Sequence, residues 1–329
     1  MKTKDKILII PLLVMGLIVM IANSCTKQKE QGQPPVLITR AVTFILMTTA
    51  NSGGNISSDG GAAITARGVC WSTAQDPTVN DSKTTDGTGT GTFTSEITGL
   101  TATTTYYVKA YATNSAGTSY GDQLLFKTYT GSVTDADGNV YNTMMIGGQT
   151  WMAENMRTMR YFNGDLIGTT SSSDLDLTSE STAEYQWAFD GNESNVLTYG
   201  RLYTWNVIMD ARNISPAGWH IPSDADWQVL ANSLGGEGNA GEKLKEMGLV
   251  HWQSPNAGAT DESGFGALPS GYRGMTGTFA ELHQYSPWWS STEVSPTESR
   301  FWSTSYTGGE LFSGYYPRQY GYAVRCLKN

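Results

Sequence analysis

The chain has 329 residues, enough for two domains of moderate size. Only 16% of them are charged, while Gly reaches 37 copies and Tyr plus Trp 27; that mix reads as turn-rich β structure and excludes a coiled coil or a charge-laced helical bundle. The excess of 30 acidic over 21 basic residues, with no basic, aromatic-interleaved stripe, argues against nucleic acid as a partner.

The first segment reads as an address. Lys2, Lys4 and Lys6 precede an uncharged apolar run from Ile7 to Ala22, the pattern of a secretory signal. Its 16 residues span about 24 Å as a helix, short of the roughly 30 Å hydrocarbon core. Ala22-Asn23-Ser24-Cys25 resembles a bacterial lipobox, with Ala22 where Leu is usual. That resemblance implies a signal peptide over 1–24, lipid on Cys25, and the membrane as a partner through that lipid. The expected location is the bacterial outer membrane, with the cell surface and the periplasm both open as the face it occupies; a plain secreted chain and a retained anchor are the alternatives. Loss of residues 1–25 leaves 18 basic and 29 acidic residues, a net charge of −11. Residues 25–34 form a polar, Pro-ended tether. Beyond Cys25 only Cys70 and Cys326 remain; they fall in different domains and read as buried, unpaired thiols rather than a disulfide framework.

Residues 35–128 alternate apolar and polar positions in short runs separated by Gly, Asn, Asp and Ser. Ile64–Trp71 and Thr105–Ala112 are predicted strands, the second with Tyr106, Val108, Ala110 and Ala112 on one face. Gly99–Val108 resembles the E–F corner of a fibronectin type III domain, and Tyr106 fits the tyrosine whose hydroxyl returns to the backbone. The implied fold is an immunoglobulin/fibronectin III-like β-sandwich, acting as a spacer. Trp71 is expected in its core. The run Asp86–Gly91 lacks the following helix and Lys-Ser/Thr pair of a phosphate cradle, so it reads as a loop.

After a short linker over 129–132 the composition shifts toward Trp and Met. Asp135–Asn139 has Val140 where a calcium loop needs Gly, so it reads as a turn. Val140–Ile146, Gly147-Gly148 and Gln149–Met152 predict a hairpin. Residues 168–184 read as a surface insertion. Ser223 caps a predicted helix running to Gly235, and 240–247 offers a second short helix. Strands are expected over 288–292, 300–306 and 320–327, with loops between.

These pieces resemble one family, the Fibrobacter succinogenes major paralogous domain. The matching motifs include Ile146–Met156, Tyr199–Asn206, Pro216–Ser223, Leu268–Arg273, Trp288–Glu293 and Ala323–Cys326. The resemblance covers 132–329 and implies a C-type-lectin-like α+β domain, so the whole chain is expected to be mainly β with an α+β second domain. Fold resemblance carries no activity with it.

Motifs for chemistry are sparse. His220, His251 and His283 are too far apart in sequence for a local ligand pair, and His220 reads as structural. No nucleophile elbow, Walker loop or dinucleotide fingerprint occurs. The formylglycine-generating enzymes share the broader fold, but their site needs a pair of cysteines and this domain has only Cys326. Ser254-Pro255-Asn256 lacks the acidic ligand of a calcium-bridged sugar site. No catalytic residue, metal or cofactor is therefore expected. Aromatic faces beside Arg donors remain as binding candidates: Tyr272, Arg273, Trp288, Tyr315, Tyr316 and Arg318, with Trp289, Trp302 and Tyr322 assigned to the core. The expectation is a non-enzymatic envelope lipoprotein that recognises a glycan or a surface protein. The alternatives are a polysaccharide-processing enzyme using a carboxylate such as Glu293 or Asp261, and a structural subunit of a surface assembly.

Overall fold

A computed structural model describes residues 32–170 and 172–329. Cys25 and the leader lie outside the described residues.

The first domain contains β1 (Val36–Thr43), β2 (Ala50–Ser58), β3 (Ala66–Ser72), β4 (Ser82–Lys83), β5 (Gly91–Ile97), β6 (Thr105–Asn114), β7 (Gly117–Tyr120) and β8 (Leu124–Lys127). One sheet runs β1-β2-β5 and the other β4-β3-β6-β7, with β8 also pairing β6. This is the fibronectin III-like sandwich. In β6 the predicted inward set holds: Tyr106, Val108, Ala110 and Ala112 are buried in the core with Val69, Phe93 and Ile97. The Tyr106 hydroxyl accepts the Thr101 backbone N–H at 3.0 Å, which fixes the tyrosine corner. Trp71 is only half-buried and packs at the rim rather than the centre.

The register of β6 separates two poles. At one, Asn114 donates to the carbonyls of Gln33 and Asp59, both at 2.7 Å. At the other, the Thr128 N–H bonds the Thr104 carbonyl at 3.0 Å. Ten strand residues at about 3.3 Å each put the entering and leaving chain roughly 30 Å apart.

The second domain begins at once with β9 (Gly131–Thr134), so the predicted linker shrinks to two residues. It continues through β10 (Val140–Ile146), β11 (Gln149–Met152), β12 (Gln186–Trp187), α1 (Val196–Tyr199), β13 (Leu202–Tyr203), α2 (Trp205–Met209) and β14 (Trp219–His220). Then come α3 (Asp224–Ser233), α4 (Glu237–Leu244), β15 (Ser270–Arg273), β16 (Phe279–Leu282), β17 (Tyr285–Glu293), β18 (Glu298–Ser305), β19 (Phe312–Pro317) and β20 (Leu327–Lys328). The sheets are β14-β20-β11-β10-β9 and β17-β18-β19, with ribbons β12-β13 and β15-β16.

The predicted hairpin and cap are both present. β10 pairs antiparallel with β11. Ser223 and Asp226 form a reciprocal capping box at the start of α3. Asp135 Oδ1 accepts the N–H groups of Asp137 and Asn139, each at 2.9 Å, closing a turn between strands. Cys70 and Cys326 are buried, and among the described residues neither is paired.

Two expectations shift. The predicted strand over 320–327 is mostly irregular, because its residues bridge three different partners one at a time: Gly321 to Arg273, Tyr322 to Tyr203 and Ala323 to Trp288. β19 replaces a predicted loop; its Gly and Pro are tolerated in an edge position, and Gly314 is needed because the Phe301 ring lies where a Cβ would sit. The 168–184 insertion is pinned through Leu177 and Ala183, which form a small core beside Trp187.

Long irregular segments leave many carbonyls without ladder partners, and buried cations take them up. Arg325 donates to Asn155 Oδ1 at 2.8 Å and to the carbonyls of Phe265 and Gly266. The Lys245 ammonium bonds three carbonyls, of Ala257, Ser305 and Gly308, at 2.7, 3.0 and 2.6 Å. Replacing Arg325 by Met strands the Phe265 and Gly266 carbonyls in the core and leaves Asn155 Oδ1 with the Trp288 indole alone; the expected loss is about 3 kcal/mol or more in urea denaturation. A loss under about 1 kcal/mol would refute this reading of the core.

Candidate functional site

Burial divides the six aromatic and Arg candidates. Trp288 is fully buried. It stacks on Trp227 at 5.5 Å, and its indole N–H donates to Asn155 Oδ1 at 2.9 Å. Arg273 is also fully buried, its guanidinium 4.2 Å from the Trp187 ring and donating to the carbonyls of Ser173, Leu175 and Gly274. Neither reaches a surface ligand; both hold the fold. The apolar wall formed by α3 behind β17 claims Trp288, and the pinned insertion claims Arg273. Trp289, Trp302 and Tyr322 are core, as expected.

Arg318 is also taken. Its guanidinium lies 4.2 Å from the Trp205 ring, pairs with Glu293 at 2.8 Å and donates to the Ser295 carbonyl at 2.6 Å. Glu293, one of the two carboxylates of the enzyme alternative, is thereby committed to a surface ion pair.

Tyr315 and Tyr316 are exposed, at 56% and 43%, but alternate strand positions face opposite ways. Tyr315 sits opposite Arg300, and Tyr316 opposite Ser299. Tyr316 alone joins an aromatic strip. Its ring is 4.8 Å from Tyr320, Tyr320 is 6.0 Å from Tyr272, and Tyr272 is 6.4 Å from Tyr285. Phe312 extends the strip beyond Tyr285 at 5.7 Å. Tyr272, Tyr285, Tyr320 and Phe312 are half-buried, resting on a floor that contains Trp289, Phe301 and Tyr322. Partial burial raises the phenol pKa of Tyr272 and Tyr320, and Glu281 adds to the rise at Tyr272. The hydroxyls therefore stay neutral near pH 7. Such a surface offers ring faces and neutral hydroxyls side by side.

Sequence reasoning missed Tyr285 and Phe312. Tyr285 shares the period-2 face of Trp289, a signal readable only once the strand is extended back before Pro287. Phe312 was hidden because Phe312–Pro317 looked like a loop.

The histidines come closer in space than in sequence. His251 and His283 flank Tyr199, each with ring centroids 5.9 Å from it. His220 Nδ1 lies 2.7 Å from Asn329 Oδ1. Among the described residues no group of three or more His, Cys, Asp or Glu side chains converges as metal ligands would. The second carboxylate of the enzyme alternative, Asp261, accepts the Gly266 N–H at 2.8 Å. Burial raises its pKa to about 8.

A profile of the Fibrobacter succinogenes major domain matches residues 144–328, more than half of the chain. The chain belongs to the Fibrobacter succinogenes major domain family. The matched span opens inside β10, and the sheet containing β10 also includes β9, which precedes the match. Among curated proteins none matches the chain. Solved structures with weak similarity include a myokine at 16% identity, covering 29% of this chain and 98% of that one, with TM-score 0.24. Another is the sensor domain of the anti-sigma factor RsgI4 of Pseudobacteroides cellulosolvens, at 18%, covering 29% and 95%, TM-score 0.23. A third is the third fibronectin III domain of human KIAA0343, at 14%, covering 30% and 86%, TM-score 0.24. Scores this low add nothing to the strand order, which itself defines the sandwich.

Two predictions separate these roles. Trp288→Ala is expected to cost about 3–5 kcal/mol in denaturant unfolding; Tyr316→Ala should cost less than about 1 kcal/mol. Similar costs would mean the strip is core rather than surface. Asp261, with a folded pKa of about 8 against an unfolded value of about 3.9, favours the native state fully below the unfolded value. That contribution is lost as pH rises toward 8. Asp261→Asn should therefore raise Tm at pH 8 more than at pH 4, and an equal shift at both would refute the assignment.

Proposed function

We propose that this member of the Fibrobacter succinogenes major domain family is a non-enzymatic envelope lipoprotein whose C-terminal domain, a C-type-lectin-like head, binds a glycan or another surface protein. The observation that carries the proposal is the tyrosine strip of Tyr316, Tyr320, Tyr272 and Tyr285. Four linked rings from β15, β17, β19 and the run at Tyr320, with phenol hydroxyls beside ring faces and a buried aromatic floor, form a rigid amphipathic surface of the type used for recognition. The net charge of −11 after loss of residues 1–25 disfavours an acidic polymer, so a neutral glycan fits best. The sandwich supports a spacer role, since its chain enters at one pole and leaves at the other. Lipid on Cys25 would then anchor the chain beyond the pole where Gln33 is held, with the outer membrane as its place.

Residues 26–329, screened on a glycan array and in pull-downs, test the reading. Saturable binding to neutral glycans that falls at least tenfold in Tyr316→Ala/Tyr320→Ala supports it. Released product overturns the non-enzymatic role, and binding untouched by the double substitution overturns the site. Mass spectrometry of the mature protein should find a diacylglyceryl group on Cys25; a bare thiol with the leader still attached would overturn the anchor.

A further inference from the structure

A second concave site lies where the two domains meet. The end of β1, the loop after it and β8 form one wall, and the segment 246–251 with Asp261 and Gly264 forms the other, around a volume of about 430 Å³. That is within the range of small-molecule pockets, which are largely apolar with few polar groups. The apolar lining includes Val42, Ile45, Leu124, Phe126, Met247 and Val250. Both lips carry exposed hydrophobic side chains: Phe44, Leu46 and Met47 on one, Met247, Leu249 and Val250 on the other. The most exposed are Phe44 at 79% and Val250 at 77%. Concentrated exposure of this kind marks an interaction site rather than ordinary surface.

The domains are tied together beside the cleft. Lys127 donates to the Met145 carbonyl at 2.9 Å, and Tyr129 packs on the core of the second domain. The polar groups in the lining are mostly acidic or already engaged. Glu246 faces His251 at 2.9 Å. Asp261 is different: one oxygen takes the Gly266 N–H, and among the described residues no donor reaches the other.

We propose that this interdomain cleft binds an amphipathic amine, its apolar body against Val42, Ile45, Phe126 and Val250 and its ammonium against Asp261. Neither domain alone presents both halves of such a site, so the ligand would also brace the two domains. The charged and titratable groups around Asp261 are Arg325, Glu246 and Tyr129, with Lys127 and His251 elsewhere in the lining. Burial raises the Asp261 pKa, so alkaline pH favours its carboxylate, and at pH 8.5 an alkylamine of ordinary pKa stays protonated.

Isothermal titration of residues 26–329 with octylamine, 1-octanol and octanoate at pH 8.5 tests the proposal. Octylamine should bind with one saturable site, octanol at least tenfold more weakly, and octanoate without detectable heat. Asp261→Asn should weaken octylamine at least tenfold and leave octanol unchanged; thermal unfolding of the variant shows that it is folded. Val250→Asp, on the exposed lip, should weaken octanol. No heat with octylamine, equal affinity for all three compounds, or an unaltered Asp261→Asn would overturn it.

Discussion

Arg325, Asn155 and Trp288 meet at one buried point, and the second domain takes its shape around it. Asn155 Oδ1 accepts from both the Arg325 guanidinium and the Trp288 indole, while its amide donates to the Tyr199 carbonyl. Four segments far apart in sequence are thereby fixed: the turn after β11, the end of α1, the middle of β17 and the C-terminal run. Arg325 reaches a fifth through the carbonyls of Phe265 and Gly266. A guanidinium suits this task because its planar donors spread over several acceptors at once. Burying it is costly, and its pKa is lowered to about 10 by that burial even with Glu154 and Asp261 nearby. The cost is offset only while every carbonyl stays in place, so the node selects one arrangement of the loops.

The same device recurs. Arg273 ties the insertion before β12 to β15, and Lys245 ties the end of α4 to the turns at Ala257 and Gly308. In a domain whose strands are short, these staples replace much of what a continuous ladder would supply. They also explain why the tyrosine strip is well placed. β15, the run containing Tyr320 and β17 are each bound to a common frame, so their rings hold fixed spacings.

Legibility in the sequence followed the range of the interaction. Local devices were readable: the Ser223–Asp226 box, the Gly147-Gly148 hairpin and the alternation of β6 all depend on neighbours a few residues away. The tyrosine corner was readable for the same reason, since Tyr106 and Thr101 are five residues apart. Pairings that depend on distant partners were not. The run after Tyr320 has strand-like composition, yet its partners belong to three different elements. Trp288 and Arg273 look like surface binders beside Gly, Ser and Tyr, and only the arrival of α3 and of the insertion encloses them.

This has a consequence for where recognition resides. The family motifs contribute Asn155, Arg273, Trp288 and Arg325, and all four are committed to holding backbone or each other. A residue so engaged cannot change partners to suit a ligand without loosening the frame, since removing one partner strands several buried groups at once. Under the proposed binding role, ligand choice therefore falls largely to side chains outside those motifs, whose replacement leaves no buried carbonyl unpaired. Tyr316, Tyr320 and Tyr285 meet that condition on one surface; Phe44, Met247 and Val250 meet it at the cleft. Under the proposed binding role a common scaffold can carry different specificities, because most of the side chains proposed to meet a ligand, Tyr272 excepted, lie apart from the groups that set the fold.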